Sequence, residues 1–173
     1  MNDDRNNTQP ARRSDLCRLF EREAEPWYTL ALLLTADCDL AEQCFVSAAA
    51  ECLESASPVL QSCIRAWGKH VLIRQAIRAA ATEKEPNRKT LSASKTSHMD
   101  SILMLGRFER FVFVISVLER YSDMDCCLLL DCTRRELQAA RSRAFLKLAA
   151  KTGGRRNLPA VWHPAPAELK MAN

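Results

Sequence analysis

The chain has 173 residues, of which 47% are hydrophobic and 27% are charged, and its formal net charge is +4 at pH 7. This balance excludes a chain that is disordered throughout, and the length suits one domain of average size or two small ones. The apolar runs are too short to span a bilayer, and the polar start lacks the apolar core of a signal peptide. We therefore expect a cytoplasmic protein that makes no membrane contact.

The residue pattern predicts an all-α fold. Only four glycines occur, no Asn-Gly or Asp-Gly turn is present, and the one β-leaning run, residues 111–117, lies within helical spacing. Residues 1–13 are expected to form a disordered arm. From residue 14 to residue 81 the apolar spacing is helical, and two apolar faces stand out, Leu16, Leu19 and Phe20 in the first and Trp27, Leu30, Ala31 and Leu34 in the second.

Two further helices are predicted before residue 81. Asp39 is placed to cap the first of them, and Pro58 is placed to begin the second. Residues 14–57 are strongly acidic, with nine acidic side chains against two basic ones, whereas residues 122–156 have eight basic against four acidic. Opposite charges at the two ends of the chain favour two surfaces with different partners.

The second half of the chain is predicted to be a separate helical block. Residues 82–98 are rich in Lys, Ser and Thr with a single leucine, which is typical of a flexible linker. Residues 99–151 regain helical spacing, and the glycines at 153–154 end it. Residues 152–173 are expected to be an extended tail. The prediction is thus two small helical domains joined by a flexible linker.

Two helix starts eleven residues apart predict a helix-turn-helix. Ser122 with Asp125 suits a capped start, and Thr133 with Glu136 has the full capping-box pattern. A short helix over residues 123–130, a tight turn and a helix to about residue 150 follow from these caps.

The faces of the longer helix can be assigned from its period. Leu137, Ala140, Ala144 and Leu148 fall in one apolar sector and should pack on the preceding helices. Arg135, Gln138 and Ser142 fall on the opposite side, with Arg134 and Phe145 at its margin. Guanidinium and amide groups suit guanine and adenine edges, and further cations suit phosphates. The expected DNA-binding residues are Thr133, Arg134, Arg135, Gln138, Arg141, Ser142, Arg143 and Lys147, and Arg155 and Arg156 are candidates for additional phosphate contacts.

The eight cysteines are expected to be reduced thiols that act as small apolar side chains. Cys126, Cys127 and Cys132 are close in sequence, but no Cys-x-x-Cys occurs and the three histidines are distant. We therefore predict neither a metal nor another cofactor.

The run ERFVFVISVLERYSDMDCCLLLDCTRRELQAARSRAFLKL, residues 109–148, resembles region 4 of sigma factors of the sigma-70 class and extracytoplasmic-function type. The positions that match that family's pattern are Leu105, Arg110, Val112, Phe113, Ser122, Leu130, Thr133, Leu137, Arg143, Ala144 and Leu148. Asp131 stands where the family has its turn glycine, which requires a left-handed aspartate.

The run YTLALLLTADCDLAEQCF, residues 28–45, is similar to region 2 of the same family, with Thr35, Asp37, Ala41 and Glu42 at motif positions. The resemblance implies a bacterial transcription initiation factor with a helical region 2 and a helix-turn-helix region 4. Its partners would be core RNA polymerase and double-stranded promoter DNA, with an anti-sigma factor as a further candidate. Core polymerase would contact Asp39, Glu42 and Gln43, and the melted minus-ten strand would contact Trp67, Lys69, Arg74 and Arg78. The alternative for Trp67 is a core anchor.

Two alternatives to a sigma factor remain open at this stage. One is a sigma-like regulator that binds DNA without initiating transcription, and the other is a helical protein-interaction module. An enzyme is not expected, because the sequence has no Gly-rich phosphate loop, no His-Glu-x-x-His and no Gly-x-Ser-x-Gly.

Overall fold

The computed structural model describes residues 10–55, 59–82 and 98–151. Within these ranges the chain forms eight α-helices and one π-helical segment, Val114–Leu118, and no strand. In chain order the helices are α1 (Arg13–Arg22), α2 (Ala24–Thr35), α3 (Cys38–Glu54), α4 (Ile64–Thr82), α5 (His98–Leu103), α6 (Arg107–Phe113), α7 (Asp123–Leu130) and α8 (Arg134–Lys151). The all-α prediction is confirmed. No helix in the described ranges has the length and apolar content needed to cross a membrane.

Helices α2, α3 and α4 pack against one another, and α1 covers one side of them. The two apolar faces predicted for the first helices are buried in this core. Trp27 is 1% exposed, and its ring meets the Phe20 ring edge to face with centroids 4.9 Å apart. The helical spacing of the apolar side chains therefore located this part of the core correctly.

The turn between α2 and α3 depends on Ala36 and Asp37. Ala36 is left-handed, with φ of 56°, and ends α2. Asp37 is extended, and its carboxylate accepts the backbone N–H of Leu40 at 2.9 Å, so Asp37 is the N-cap of α3. The prediction that Asp39 caps this helix was wrong by two residues, because the chain reverses at Ala36 and places Asp39 within the first helical turn.

Pro10 and Ala11 are bonded to the segment that precedes α4, although the sequence predicts that they belong to a disordered arm. The N–H of Ala11 donates to the carbonyl of Val59 at 2.7 Å, and Pro10 pairs with Leu60. Helix α1 begins at Arg13, so only residues 1–9 of the predicted arm lie outside the described residues. The predicted helix start at Pro58 also lies outside them, and α4 begins at Ile64.

The C-terminal helices pack onto the N-terminal ones through α2, which contacts α5, α6 and the π-helical segment. One continuous set of buried side chains joins Leu34 and Ile73 to Val112 and Ile115. The predicted linker, 82–98, lies outside the described residues apart from Thr82 and His98, which belong to α4 and α5. In this structure the two blocks therefore share a core.

Arg110 is the polar centre of that contact. Its side chain is 3% exposed, and its guanidinium donates to the carbonyls of Leu34, Thr35 and Leu105 at 3.1–3.2 Å. Leu34 and Thr35 are the last residues of α2, where a helix leaves carbonyls without partners and carries partial negative charge. A cation from α6 therefore stabilises the end of α2.

Candidate nucleic-acid interface

Helices α7 and α8 follow each other across a short turn, as the two caps predicted. The hydroxyl of Ser122 accepts the N–H of Asp125 at 3.1 Å and so caps α7. Asp131 ends α7 in the left-handed region, with φ of 47° and ψ of 53°. The expected left-handed aspartate at the turn is confirmed.

Thr133 and Glu136 start α8 with a reciprocal capping box. The N–H of Thr133 donates to Oε2 of Glu136 at 2.8 Å, and the N–H of Glu136 donates to Oγ1 of Thr133 at 3.3 Å. The backbone and side-chain hydrogen bonds from Thr133 lower the pKa of Glu136. This local geometry fixes where α8 leaves the turn, as the capping pattern predicted.

The packed and open faces of α8 are also as predicted. Leu137, Ala140 and Ala144 are fully buried, and Leu148 is partly buried. On the opposite side, Arg135, Gln138 and Ser142 are exposed. None of these three side chains has a hydrogen bond or ion pair with the residues that the structure describes, so all three can contact another molecule.

Arg141 and Arg134 are tied to α7. Arg141 donates from Nη2 to Asp123 Oδ1 at 2.5 Å and from Nε to the Ser116 hydroxyl at 3.1 Å. Arg134 lies 3.6 Å from the other Asp123 oxygen, but 76% of its side chain remains exposed. The hydrogen bond from Arg141 is the main cause that lowers the pKa of Asp123, against the opposing effect of burial. In this conformation Arg141 fixes the angle between α7 and α8, and Arg134 keeps an open guanidinium.

Arg143 and Lys147 both bind the carboxylate of Glu109, a pairing that the sequence did not predict. Both donate to Glu109 of α6, Arg143 at 3.0 Å and Lys147 at 2.5 Å, and both cations are about half exposed. Burial raises the pKa of Glu109, but the hydrogen bonds from Lys147 and Arg143 outweigh burial and the pKa is lowered. Glu109 is 34 residues from Arg143, and no local pattern indicates a pair at that separation.

The four residues predicted for a single-strand face lie on α4 but do not form one open surface. Trp67 is half-buried against the core, and Arg78 is exposed. Lys69 pairs with Glu119 at 2.6 Å, whereas Arg74 pairs with Glu51 of α3. Lys69 and Arg74 thus turn to different neighbours, because five residues along an α-helix correspond to about 140° around its axis.

The three residues predicted to contact core polymerase form a stripe on α3. Asp39, Glu42 and Gln43 are all exposed, and Val46, one turn farther along, is 59% exposed. Residues at these spacings lie on one side of a helix. The structure therefore brings these three together beside an exposed apolar side chain.

Comparison of the chain with protein-family models, curated proteins and solved structures gave no match. Among the described residues, no three His, Cys, Asp or Glu side chains come together as a metal site requires.

Proposed function

We propose that the protein binds double-stranded DNA through α8 and acts as a transcription initiation factor of the extracytoplasmic-function sigma type. The observation that carries the proposal is the open face of α8, with Arg135, Gln138 and Ser142 on a capped helix that follows a tight turn. In a helix-turn-helix, side chains near the start of the second helix reach base edges in the major groove. The three residues lie within the first nine positions of α8.

The chemistry of this face suits base recognition. Arginine can donate two hydrogen bonds to guanine, and glutamine can pair in the same way with adenine. Thr133 and Arg134 lie at the start of the same helix, where they can contact phosphates. Arg143 and Lys147 keep about half of their surface exposed while bound to Glu109, so both can also contribute attraction to the DNA backbone.

Alanine variants of the open face test DNA binding. We expect Arg135→Ala and Gln138→Ala each to weaken binding to selected DNA sites by about 1–3 kcal/mol, which is roughly 10- to 100-fold in affinity. Arg18→Ala is the charge-matched control, because Arg18 is exposed on α1 and should leave affinity unchanged. Sites would be selected from random duplexes, and affinities measured by fluorescence anisotropy at two salt concentrations. Equal affinities for Arg135→Ala, Arg18→Ala and the unaltered chain would contradict the proposal.

The proposed polymerase contact depends on the acidic stripe of α3. Asp39 and Glu42 offer carboxylates and Gln43 offers an amide beside the exposed apolar side chain of Val46, which suits a basic partner surface with an apolar centre. We propose that this surface is the clamp of core RNA polymerase. Co-purification of the chain with core polymerase, followed by sequencing of bound promoters, tests it directly. Loss of the complex in Val46→Asp but not in an exposed-site control on α1, Arg18→Ala, is the expected result.

The second candidate is a sigma-like regulator that binds DNA but does not initiate transcription. The ion pairs of Lys69 with Glu119 and of Arg74 with Glu51 support it, because they occupy two cations proposed to hold the melted strand. Such a regulator would bind the selected duplexes without polymerase and give no promoter-specific transcript in a reconstituted reaction. An initiation factor would give that transcript with core polymerase. The third candidate, a protein-interaction module, predicts partner binding that Arg135→Ala leaves intact and no selected DNA site.

A further inference from the structure

The turn of the helix-turn-helix brings two cysteines together. The backbone N–H groups of Asp131 and Cys132 both donate to the carbonyl of Cys127, the latter at 3.1 Å. Asp131 is left-handed, and the bond from the Cys132 N–H to the Cys127 carbonyl is one that a Schellman motif makes. An apolar contact between the side chains at these two positions frequently accompanies that motif, and here the two positions carry Cys127 and Cys132.

The two side chains lie at the same turn. The Cys127 thiol is among the groups that raise the pKa of Cys132, and both side chains are only partly buried, at the edge of the core. A backbone hydrogen bond between residues five apart also keeps their Cα atoms within the range, about 4.4–6.8 Å, that a disulfide spans. Access for a small reagent and proximity of the sulfurs are therefore both provided.

Cys126, the third cysteine near this turn, is poorly placed to form a disulfide. Cys126 is fully buried, and its thiol faces the carbonyl of Tyr121 at 3.8 Å. Its bond to Cys127 as a sequence neighbour would require a strained disulfide. Cys127 and Cys132 are thus the pair that the backbone brings close enough to form a disulfide.

We propose that Cys127 and Cys132 form an oxidisable dithiol that low-molecular-weight disulfides convert to an intramolecular disulfide across the α7–α8 turn. The site is independent of the proposed function, since it requires only the turn geometry and a small oxidant. The proposed disulfide would be an oxidative modification at the turn that precedes the first residue of α8.

The reaction balances as two thiol–disulfide exchanges. The Cys127 thiol loses its proton, and the thiolate attacks one sulfur of oxidised glutathione, so that a mixed disulfide forms and one glutathione leaves as a thiol. Cys132 then loses its proton to solvent and attacks the Cys127 sulfur, which forms the Cys127–Cys132 bond and releases the second glutathione. The protein is oxidised by two electrons, and the small disulfide is reduced to two thiols.

The order of attack follows from the surroundings of Cys132. Burial, together with the Cys127 thiol and the nearby acidic groups of Glu136 and Asp131, raises the pKa of Cys132 to about 11. Cys132 therefore carries less thiolate at neutral pH than an ordinary cysteine, which disfavours it as the first nucleophile. We expect the second step, and so the conversion of mixed disulfide to protein disulfide, to become faster as the pH rises.

The test uses the full chain in glutathione buffers of graded redox ratio. After acid quenching and alkylation, trypsin releases residues 121–134, which contain all three cysteines, and tandem mass spectrometry assigns the bridge. We expect one disulfide between Cys127 and Cys132 with Cys126 alkylated. We also expect half-oxidation at a glutathione ratio at least about tenfold more reducing for the native chain than for the chain in urea, because folding raises the effective concentration of the two thiols.

Matched variants separate this pair from general thiol reactivity. Cys126→Ala and Cys63→Ser should keep the bridge, whereas Cys132→Ser should leave Cys127 alkylated or as a mixed disulfide with glutathione. Alkylation of Cys127 and Cys132 in native protein throughout the redox series, or a bridge to Cys126 instead, would overturn the proposal. So would equal half-oxidation ratios in native and urea-unfolded chains. That last comparison needs no variant and therefore does not depend on how a substitution folds.

Discussion

Gly68 packs directly against the Trp27 ring in the helical core. A Cβ atom built there would lie 2.7 Å from Cη2 and 3.2 Å from Cζ3 of Trp27. Because the Trp27 ring is rigid and 1% exposed, it has little space to give way. Glycine within α4 is less favourable for helix formation than alanine. The close approach of the Trp27 ring explains why a residue without a Cβ atom stands at position 68.

We expect Gly68→Ala to destabilise the protein by about 1–2 kcal/mol, because overpacking outweighs the gain of about 1 kcal/mol in helix propensity. Urea unfolding followed by circular dichroism measures the change in free energy of unfolding. In a Trp27→Phe background the same substitution should cost less, since the smaller ring leaves space. A double-mutant cycle with no coupling between residues 27 and 68 would contradict this account.

At the scale of elements, the α7–α8 turn holds a non-glycine residue in the left-handed region. This conformation at Asp131, with φ of 47°, costs an L-residue about 1 kcal/mol relative to glycine. Two backbone hydrogen bonds offset this cost, because the left-handed residue closes the turn and lets the carbonyl of Cys127 accept both the Asp131 and the Cys132 N–H groups.

Asp131→Gly should therefore stabilise the protein slightly, by up to about 0.5 kcal/mol once the greater chain entropy of unfolded glycine, about 0.5–1 kcal/mol, is subtracted. The matched control is Ala139→Gly, at an exposed position within α8, which should destabilise by about 1 kcal/mol. Thermal unfolding of both variants provides the comparison. If both glycines lower the melting temperature equally, the left-handed turn does not carry the strain assigned to it.

At the scale of the whole molecule, carboxylates join helices that are distant in sequence. Glu23 accepts Arg65, which links the α1–α2 junction to α4, and Glu109 and Asp123 link α8 to α6 and α7. The pKa of Glu23 is lowered, chiefly by the hydrogen bond from Arg65, and those of Glu109 and Asp123 are lowered as described above. Groups with lowered pKa values in the folded state bind protons less readily than in the unfolded chain, so acid favours unfolding.

We expect the free energy of unfolding to be constant between about pH 5 and pH 7 and to fall as the pH drops below 4.5, the ordinary value for glutamate, through the lower folded-state values. At pH 7, Glu109→Gln should cost about 1–2 kcal/mol, since water partly screens its half-exposed partners. The difference between Glu109→Gln and the unaltered chain should narrow with falling pH, because both then carry a neutral side chain. Urea titrations from pH 2 to pH 7 measure this, and a difference that stays constant would contradict the assignment.

The second prediction at this scale concerns the contact between the two helical blocks. Because Arg110 binds the end of α2 and the core is continuous, we expect unfolding in a single cooperative transition. Arg110→Ala should strip the carbonyls of Leu34 and Thr35 of their buried partner, at a cost of about 2–4 kcal/mol, and separate the transition into two. Tryptophan fluorescence and far-ultraviolet circular dichroism, compared over one urea titration, detect this. Arg78→Ala, exposed on α4, is the control that should keep one transition, and two transitions in the unaltered chain would favour independent domains.

Local patterns in the sequence by themselves determined the helical character of the chain and the caps of α7 and α8. Apolar spacing located the buried faces around Trp27 and Leu137, and the Thr133–Glu136 pattern located the start of α8, because caps and helical periods involve residues only three or four apart. The same kind of reasoning misplaced the cap of α3 at Asp39, since a left-handed Ala36 leaves no signal in its residue type.

Only the tertiary structure decided how the blocks meet and which cations remain open. Glu109 binds Arg143 and Lys147, Asp123 binds Arg141, and Arg110 reaches the end of α2, across separations of 18 to 76 residues. Charge alone did not distinguish these cations from Arg135, which faces outward. The physical reason is that an ion pair depends on where two helices cross, and that crossing is set by the packing of apolar faces from the whole chain.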